Sequence, residues 1–190
     1  MDYNFITFQK QAIKRFLALD KYKYIRDNLY KCNVSTNKEF QTVFDSFFRV
    51  RRDKTWRNIF FTYFQEAKNI DNIRFEDILK YIYENTKDHC IEPSFSSKML
   101  STINPNMPIW DQFVLENLEL KVDGKTKEER LQNTIDTYYK IVKKENEMLE
   151  EKEIQESIQL FRNYFKEYDL SDIKILDYLI WNTRKEDSKL

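Results

Sequence analysis

A single glycine, Gly124, constrains the fold of this 190-residue chain more than any other feature. Tight β-hairpin turns need residues that tolerate a positive φ angle, and glycine supplies that conformation at the lowest cost. A sheet-rich fold with many hairpins is therefore strongly disfavoured. The same shortage excludes a glycine-rich phosphate loop and a dinucleotide-binding fingerprint.

Apolar residues recur at helical spacing along nearly the whole chain, and this pattern predicts an all-α fold, a compact bundle of about nine helices. With 41% hydrophobic and 16% aromatic residues, the chain can bury a substantial core. The length fits one domain or two closely packed helical lobes. We predict a single all-α domain over residues 1–184, followed by a polar C-terminal tail over residues 185–190.

Polar residues that can accept hydrogen bonds from first-turn amides mark the predicted helix starts. We assign this capping role to Thr36, Ser94, Asp111, Thr126 and Ser171. The first predicted helix begins near Phe5 and carries basic residues on its outer face as far as Arg26. The charge-dense run over residues 143–153 is interpreted as the exposed end of a long helix followed by a turn.

All three prolines lie in one short segment of the chain, and two of them, Pro105 and Pro108, closely precede Asp111. Each fixes its own φ angle, removes an amide donor and keeps the preceding residue out of the helical region. The segment is therefore predicted to be a rigid loop, anchored in the core by Trp110. Asp111 would then begin a helix, where its charge is favoured by the helix dipole. That capping role accounts for Asp111 without any catalytic function, and both interpretations stay open.

A short helix, a proline-containing loop and an aspartate that opens the next helix resemble the latter half of the helix-hairpin-helix DNA glycosylase superfamily. In that family the segment ends in a Pro-x-Asp element, and Pro108-Ile109-Trp110-Asp111 is similar to it with one extra residue. The run from Ser96 to Leu100, followed by Asn104-Pro105, is also similar to segments of uncharacterised proteins associated with this superfamily. The resemblance covers residues 75–120 approximately.

The resemblance implies an all-α, glycosylase-like fold and the removal of a damaged base after its nucleotide is flipped out of the duplex. It implies that Asp111 stabilises positive charge on the sugar or activates the attacking nucleophile. Lys98 lies near the place where members with lyase activity carry a lysine, and the alternative for it is a solvated lysine. Trp110 and Met107 would form part of the pocket wall. No metal or organic cofactor is implied.

Basic residues cluster in one short predicted turn, with Phe48 and Trp56 beside them. This cluster consists of Arg49, Arg51, Arg52, Lys54 and Arg57. Such a cluster can contact phosphates, and the neighbouring rings could stack on bases. The alternative is a solvated turn, or one whose charge is balanced by Asp45 and Asp53.

Two functions follow as hypotheses. The first is a DNA-glycosylase-like protein, an N-glycosylase that binds DNA and removes a modified base with Asp111. The second is a non-catalytic helical interaction or DNA-binding module that retains the scaffold without the chemistry. The second is favoured by the balance of 32 basic and 32 acidic residues and by the absence of glycine from His89 to Phe95, where the family's hairpin carries glycines. A structural protein that uses its tyrosines and phenylalanines at an interface is a third alternative.

The expected partner is DNA, with a protein partner or a second copy of the chain as the other choices. We expect no membrane association, because no apolar run reaches the roughly 18–20 residues that span a bilayer. Two widely separated cysteines and an N-terminus without a signal-peptide pattern predict a reduced, cytoplasmic setting.

Overall fold

The structure is a computed structural model that describes residues 18–87 and 89–182, and these residues form nine α-helices and no β-strand. The all-α prediction is thereby confirmed. The described residues divide into two compact units, an N-terminal unit over residues 18–104 and a C-terminal unit over residues 105–182. The prediction of a single domain stays a prediction. The start of the first predicted helix and the predicted polar tail lie outside the described residues.

Five helices form the N-terminal unit: α1 (Leu19–Asn28), α2 (Lys38–Phe48), α3 (Lys54–Ala67), α4 (Phe75–Asn85) and α5 (Pro93–Ile103). Four form the C-terminal unit: α6 (Gln112–Asn117), α7 (Lys127–Leu149), α8 (Lys152–Tyr164) and α9 (Asp172–Asn182). Among the described residues, no helix combines the length and the apolar character that crossing a membrane requires.

An aromatic cluster forms the core of the N-terminal unit. Its centre is Phe44 on α2, which is fully buried. The helical spacing of phenylalanines on α2 and α3 brings five other rings to within 4.6–6.2 Å of the Phe44 ring, measured between centroids. These rings belong to Phe40, Phe48, Phe60, Phe61 and Phe64. Most pairs are tilted or edge-to-face, the arrangements that aromatic quadrupoles favour.

Two of the predicted helix starts are wrong by one or two residues. Helix α2 is capped by Asn37 rather than Thr36, because the Asn37 side chain accepts from the Phe40 amide at 2.8 Å. Helix α5 begins at Pro93 rather than after Ser94, with Glu92 in the cap position. A proline at the first helical position has its φ angle already set and lacks only an amide that would have been unpaired there.

The charge-dense run over residues 143–153 contains the end of α7 at Leu149, a short turn and the start of α8 at Lys152, as predicted. Its exposure was predicted wrongly at two positions, Glu145 and Met148, which are both buried. Glu145 is fully buried, whereas neighbours such as Lys143 and Glu147 are exposed. Glu145 therefore belongs to the interior of the C-terminal unit.

Candidate functional site

The proline loop, defined here as residues 105–111, is held in place by side chains from α9 and α7. The Ser171 hydroxyl donates to the Pro105 carbonyl at 2.6 Å, and the Tyr138 hydroxyl donates to the Pro108 carbonyl at 3.0 Å. The Ile109 amide donates to Oδ1 of Asp177 at 3.0 Å. Ser171 also accepts from the Lys174 amide at 3.1 Å, which confirms its predicted role at the start of α9. The loop thus has restricted backbone angles and three side-chain anchors.

Asp111 ends this loop and caps α6. Its backbone is extended, with φ −137° and ψ 156°, and its Oδ1 accepts from the Phe113 amide at 2.9 Å. The predicted capping role is therefore confirmed. The carboxylate is half-buried, and its negative charge contributes to raising the pKa of Asp177. Trp110, one of the two predicted pocket residues, is buried, while Met107 is half-buried.

Lys98 lies on α5 of the N-terminal unit, whereas Asp111 belongs to the C-terminal unit. Its Nζ donates to the carbonyl of Phe48 at 3.3 Å and lies 5.1 Å from the centroid of the Phe95 ring. Phe48 is the last residue of α2, where carbonyl groups lack partners within the helix and a cation is favourable. Lys98 is half-buried, so the catalytic and the solvated interpretations of it both stay predictions.

The basic loop, defined here as residues 49–54, comprises the connection between α2 and α3 and the first residue of α3. Four of its six residues are basic and one, Asp53, is acidic, which gives a formal local charge of +3. Arg49, Arg51 and Lys54 are exposed, and Arg49 has the left-handed φ of 55° that ends α2. Asp53 accepts from the Trp56 amide at 2.9 Å as the cap of α3. Its carboxylate is therefore engaged by the backbone rather than by the neighbouring cations.

Two other arginines of the predicted cluster form ion pairs within the N-terminal unit. Arg52 pairs with Glu92, and its guanidinium carbon lies 5.4 Å from the centroid of the Phe95 ring. Arg57 pairs with Asp45, as the alternative interpretation of charge balance predicts. Burial raises the pKa of Asp45, and the positive charge of Arg57 opposes that rise. These two arginines are less available to an external anion than Arg51 and Lys54.

The aromatic residues beside the basic loop do not offer an open stacking surface. Phe48 is 6% exposed and Trp56 is 8% exposed. The guanidinium of Arg52 lies 5.7 Å from the Trp56 ring centroid, and the Phe60 ring stacks on that indole at 5.1 Å. The expectation that these rings stack on a base is therefore wrong for this arrangement of side chains.

A buried ionisable cluster, which the sequence interpretation missed, lies in the C-terminal unit. It consists of Glu145 and Tyr138 on α7 and Lys174 and Asp177 on α9, all at most 5% exposed. Nζ of Lys174 is 3.4 Å from Oδ2 of Asp177. Neither carboxyl oxygen of Glu145 has a hydrogen-bond partner among the described residues. Asp177 also binds the proline loop, so the cluster and the loop form one connected arrangement.

Burial dominates the protonation of this cluster because it disfavours charged forms. It raises the pKa of Asp177 to about 6, although Lys174 and the Ile109 amide both stabilise the carboxylate. Burial, followed by the negative charge of Asp177, raises the pKa of Glu145 well above its usual range. Burial likewise raises the pKa of the Tyr138 hydroxyl. The environment therefore favours a protonated, neutral Glu145.

A periodic signal could have identified Glu145. It lies seven residues after Tyr138 and four after Ile141, and three residues before Met148, all of which are buried on α7. Positions with this spacing share one face of a helix. The local density of charged residues concealed the pattern.

Within the described ranges, no group of three or more histidine, cysteine, aspartate or glutamate side chains is arranged to hold a metal ion. Comparisons with protein-family models, curated proteins and solved structures found no match to this chain.

Proposed function

We propose that this protein binds the phosphate backbone of DNA through the basic loop of its N-terminal unit. The observation that carries the proposal is the exposure of Arg49, Arg51 and Lys54 in a six-residue segment with a formal charge of +3. Asp53, the acid within the segment, is engaged as a helix cap. Contacts between cations and phosphates supply most of the sequence-independent affinity for DNA.

A second candidate function is removal of a modified base by Asp111. It is supported by the anchored proline loop, which holds a half-buried carboxylate at the start of α6. A carboxylate fixed in this way can stabilise positive charge that develops on a sugar when its glycosidic bond breaks. The resemblance to helix-hairpin-helix glycosylases supports the same assignment, with the base flipped out before the reaction.

The non-catalytic alternative has its own support. The Asp111 carboxylate already accepts an amide hydrogen bond as a cap, and the Lys98 ammonium donates to the Phe48 carbonyl. Each side chain thus has a structural role that needs no substrate. In this alternative the basic loop still binds DNA, and no base is removed.

We expect the double substitution Arg51→Ala and Lys54→Ala to weaken binding of a labelled DNA duplex. If each cation contacts one phosphate, the slope of log affinity against log salt falls by about two over a range of about 50–200 mM. Fluorescence anisotropy across a salt series measures this slope. The charge-matched control is Lys143→Ala with Lys152→Ala, which removes two exposed lysines from the C-terminal unit. No binding by the wild-type protein at low salt, or equal losses in both double variants, would contradict the proposal.

Base removal is tested on duplexes that contain uracil, an oxidised guanine or an alkylated base, with abasic sites scored after incubation. We expect Asp111→Asn to reduce any such activity by at least about a hundredfold, because the charge on the side chain is lost. Asparagine caps helices as well as aspartate does, so this variant should retain its fold. Unchanged activity in Asp111→Asn would exclude the proposed role. An inactive wild-type protein that still binds DNA would favour the non-catalytic alternative.

A further inference from the structure

The buried cluster of the C-terminal unit contains more acidic groups than basic ones. Glu145 and Asp177 are both buried carboxyls; Nζ of Lys174 lies 3.4 Å from Oδ2 of Asp177, and its positive charge also acts on Glu145. Two ionised carboxylates beside one ammonium would leave an uncompensated negative charge in the interior, which is costly. Glu145 has no hydrogen-bond partner among the described residues to stabilise such a charge. The simplest arrangement that balances the cluster places one proton on Glu145, because Asp177 has the Ile109 amide and Lys174 as partners.

We propose that Glu145 holds a buried proton, and that loss of this proton weakens the attachment of the proline loop to α9. The connection runs through Asp177, whose two oxygens have different partners. Oδ2 lies 3.4 Å from Nζ of Lys174, and Oδ1 accepts from the Ile109 amide at 3.0 Å. A second negative charge at Glu145 competes for Lys174 and repels Asp177. Movement of Asp177 then removes one of the anchors of the loop.

The charged and titratable groups around this pair come from three elements within the described residues. Helix α9 contributes Lys174, and Asp111 acts on Asp177 from the start of α6. Tyr138 lies on α7 with Glu145, and its hydroxyl binds the Pro108 carbonyl of the same loop. Lys174 favours the ionised carboxylates, whereas Asp111 opposes ionisation of Asp177. The proton is therefore retained by burial and by repulsion between the acids, and among the described residues Lys174 is the cation that opposes this.

The sign of the pH effect follows from the direction of the pKa changes. Both carboxyls have a higher pKa in the folded unit than in an open or unfolded chain. Opening of the loop region therefore releases a proton. The free energy of this opening falls as pH rises. The stabilisation of the folded unit by these protonated carboxyls is complete below the ordinary carboxyl pKa. It is lost progressively as pH rises through the pKa of the folded state. For Asp177 that window ends near pH 6, and for Glu145 it extends higher.

Amide hydrogen exchange of the intact protein tests this proposal, with the Ile109 amide as the reporter. After correction for the intrinsic pH dependence of exchange, we expect the opening constant to rise about tenfold per pH unit above about pH 6, where Asp177 is ionised and Glu145 still holds its proton. Glu145→Gln, which keeps the side-chain shape, should remove most of this dependence. Glu147→Gln, at an exposed position on the same helix, should leave it unchanged.

The proposal is overturned if the protection of Ile109 does not change with pH in the wild-type protein, or if Glu145→Gln retains the full dependence. Should Glu145→Gln fail to fold, carbon NMR of the wild-type carboxyl groups provides an independent measurement. A Glu145 carboxyl that titrates well above an ordinary glutamate supports the buried proton, and one that titrates normally refutes it. None of these measurements requires DNA, so their outcome is independent of the proposed function.

Discussion

Replacement of Phe44 by alanine is expected to lower the free energy of unfolding of the N-terminal unit by about 3–5 kcal/mol. Phe44 is fully buried, and its ring meets five other phenylalanine rings from α2 and α3. The substitution removes the apolar surface of the ring and leaves a cavity that the surrounding rings can fill only in part. Urea unfolding followed by circular dichroism measures the loss.

Phe47→Ala on the same helix is the matched control. The Phe47 ring is half-buried and packs against Tyr22 at 5.6 Å and Phe48 at 4.6 Å, between centroids. Because less apolar surface returns to water and no closed cavity forms, we expect a loss of roughly 1–2 kcal/mol. Similar losses for the two variants would show that the core is not centred on Phe44.

The core of the N-terminal unit could be predicted from sequence because its information is local. The phenylalanines of α2 and α3 recur at helical spacing, and each helix has one apolar face. Asp111 was identified as a helix cap for a similar reason, since the prolines before it exclude a helix and the apolar residues after it require one. The exact residue of a cap is less certain from sequence. Asn37 and Thr36 can both accept first-turn hydrogen bonds, and the backbone angles decide between them.

Partners that are distant in sequence could not be predicted. The ion pair between Arg52 and Glu92 joins residues 40 positions apart, and the bond between the Ile109 amide and Asp177 joins residues 68 apart. Composition predicts that all the basic residues of the cluster are available to phosphates. In the fold, Arg52 and Arg57 are instead paired with Glu92 and Asp45. The open stacking surface was predicted wrongly for the same reason, because burial of Trp56 depends on Phe60 and Arg52.

Lys174 shows how strongly the interior of the C-terminal unit depends on charge balance. It is 2% exposed, pairs with Asp177 at 3.4 Å, and its positive charge also acts on the buried Glu145. We expect Lys174→Met to lower the free energy of unfolding by about 3–5 kcal/mol at neutral pH, because a buried carboxylate loses its partner. Methionine has a similar length and apolar stem, so the change is mainly one of charge.

The dependence of this loss on pH separates charge from packing. Lys174 lowers the pKa of both carboxyls, so its removal raises these pKa values further above those of the unfolded chain. The loss of stability in Lys174→Met should therefore be largest at neutral and alkaline pH. It should shrink as pH falls toward about 5, where both carboxyls of the folded variant are protonated. Urea unfolding at a series of pH values measures this trend, with Lys166→Met at an exposed position as the control.

A second substitution completes the test. Asp177→Asn removes the negative charge and keeps an oxygen that can accept from the Ile109 amide. In the Lys174→Met background it should therefore restore much of the stability at neutral pH and flatten the pH dependence. If the double variant is no more stable than Lys174→Met alone, the cost arises from packing around residue 174. Recovery would instead assign the cost to the unpaired charge, and would show that α7 and α9 are held together by one balanced ionic group as well as by their apolar faces.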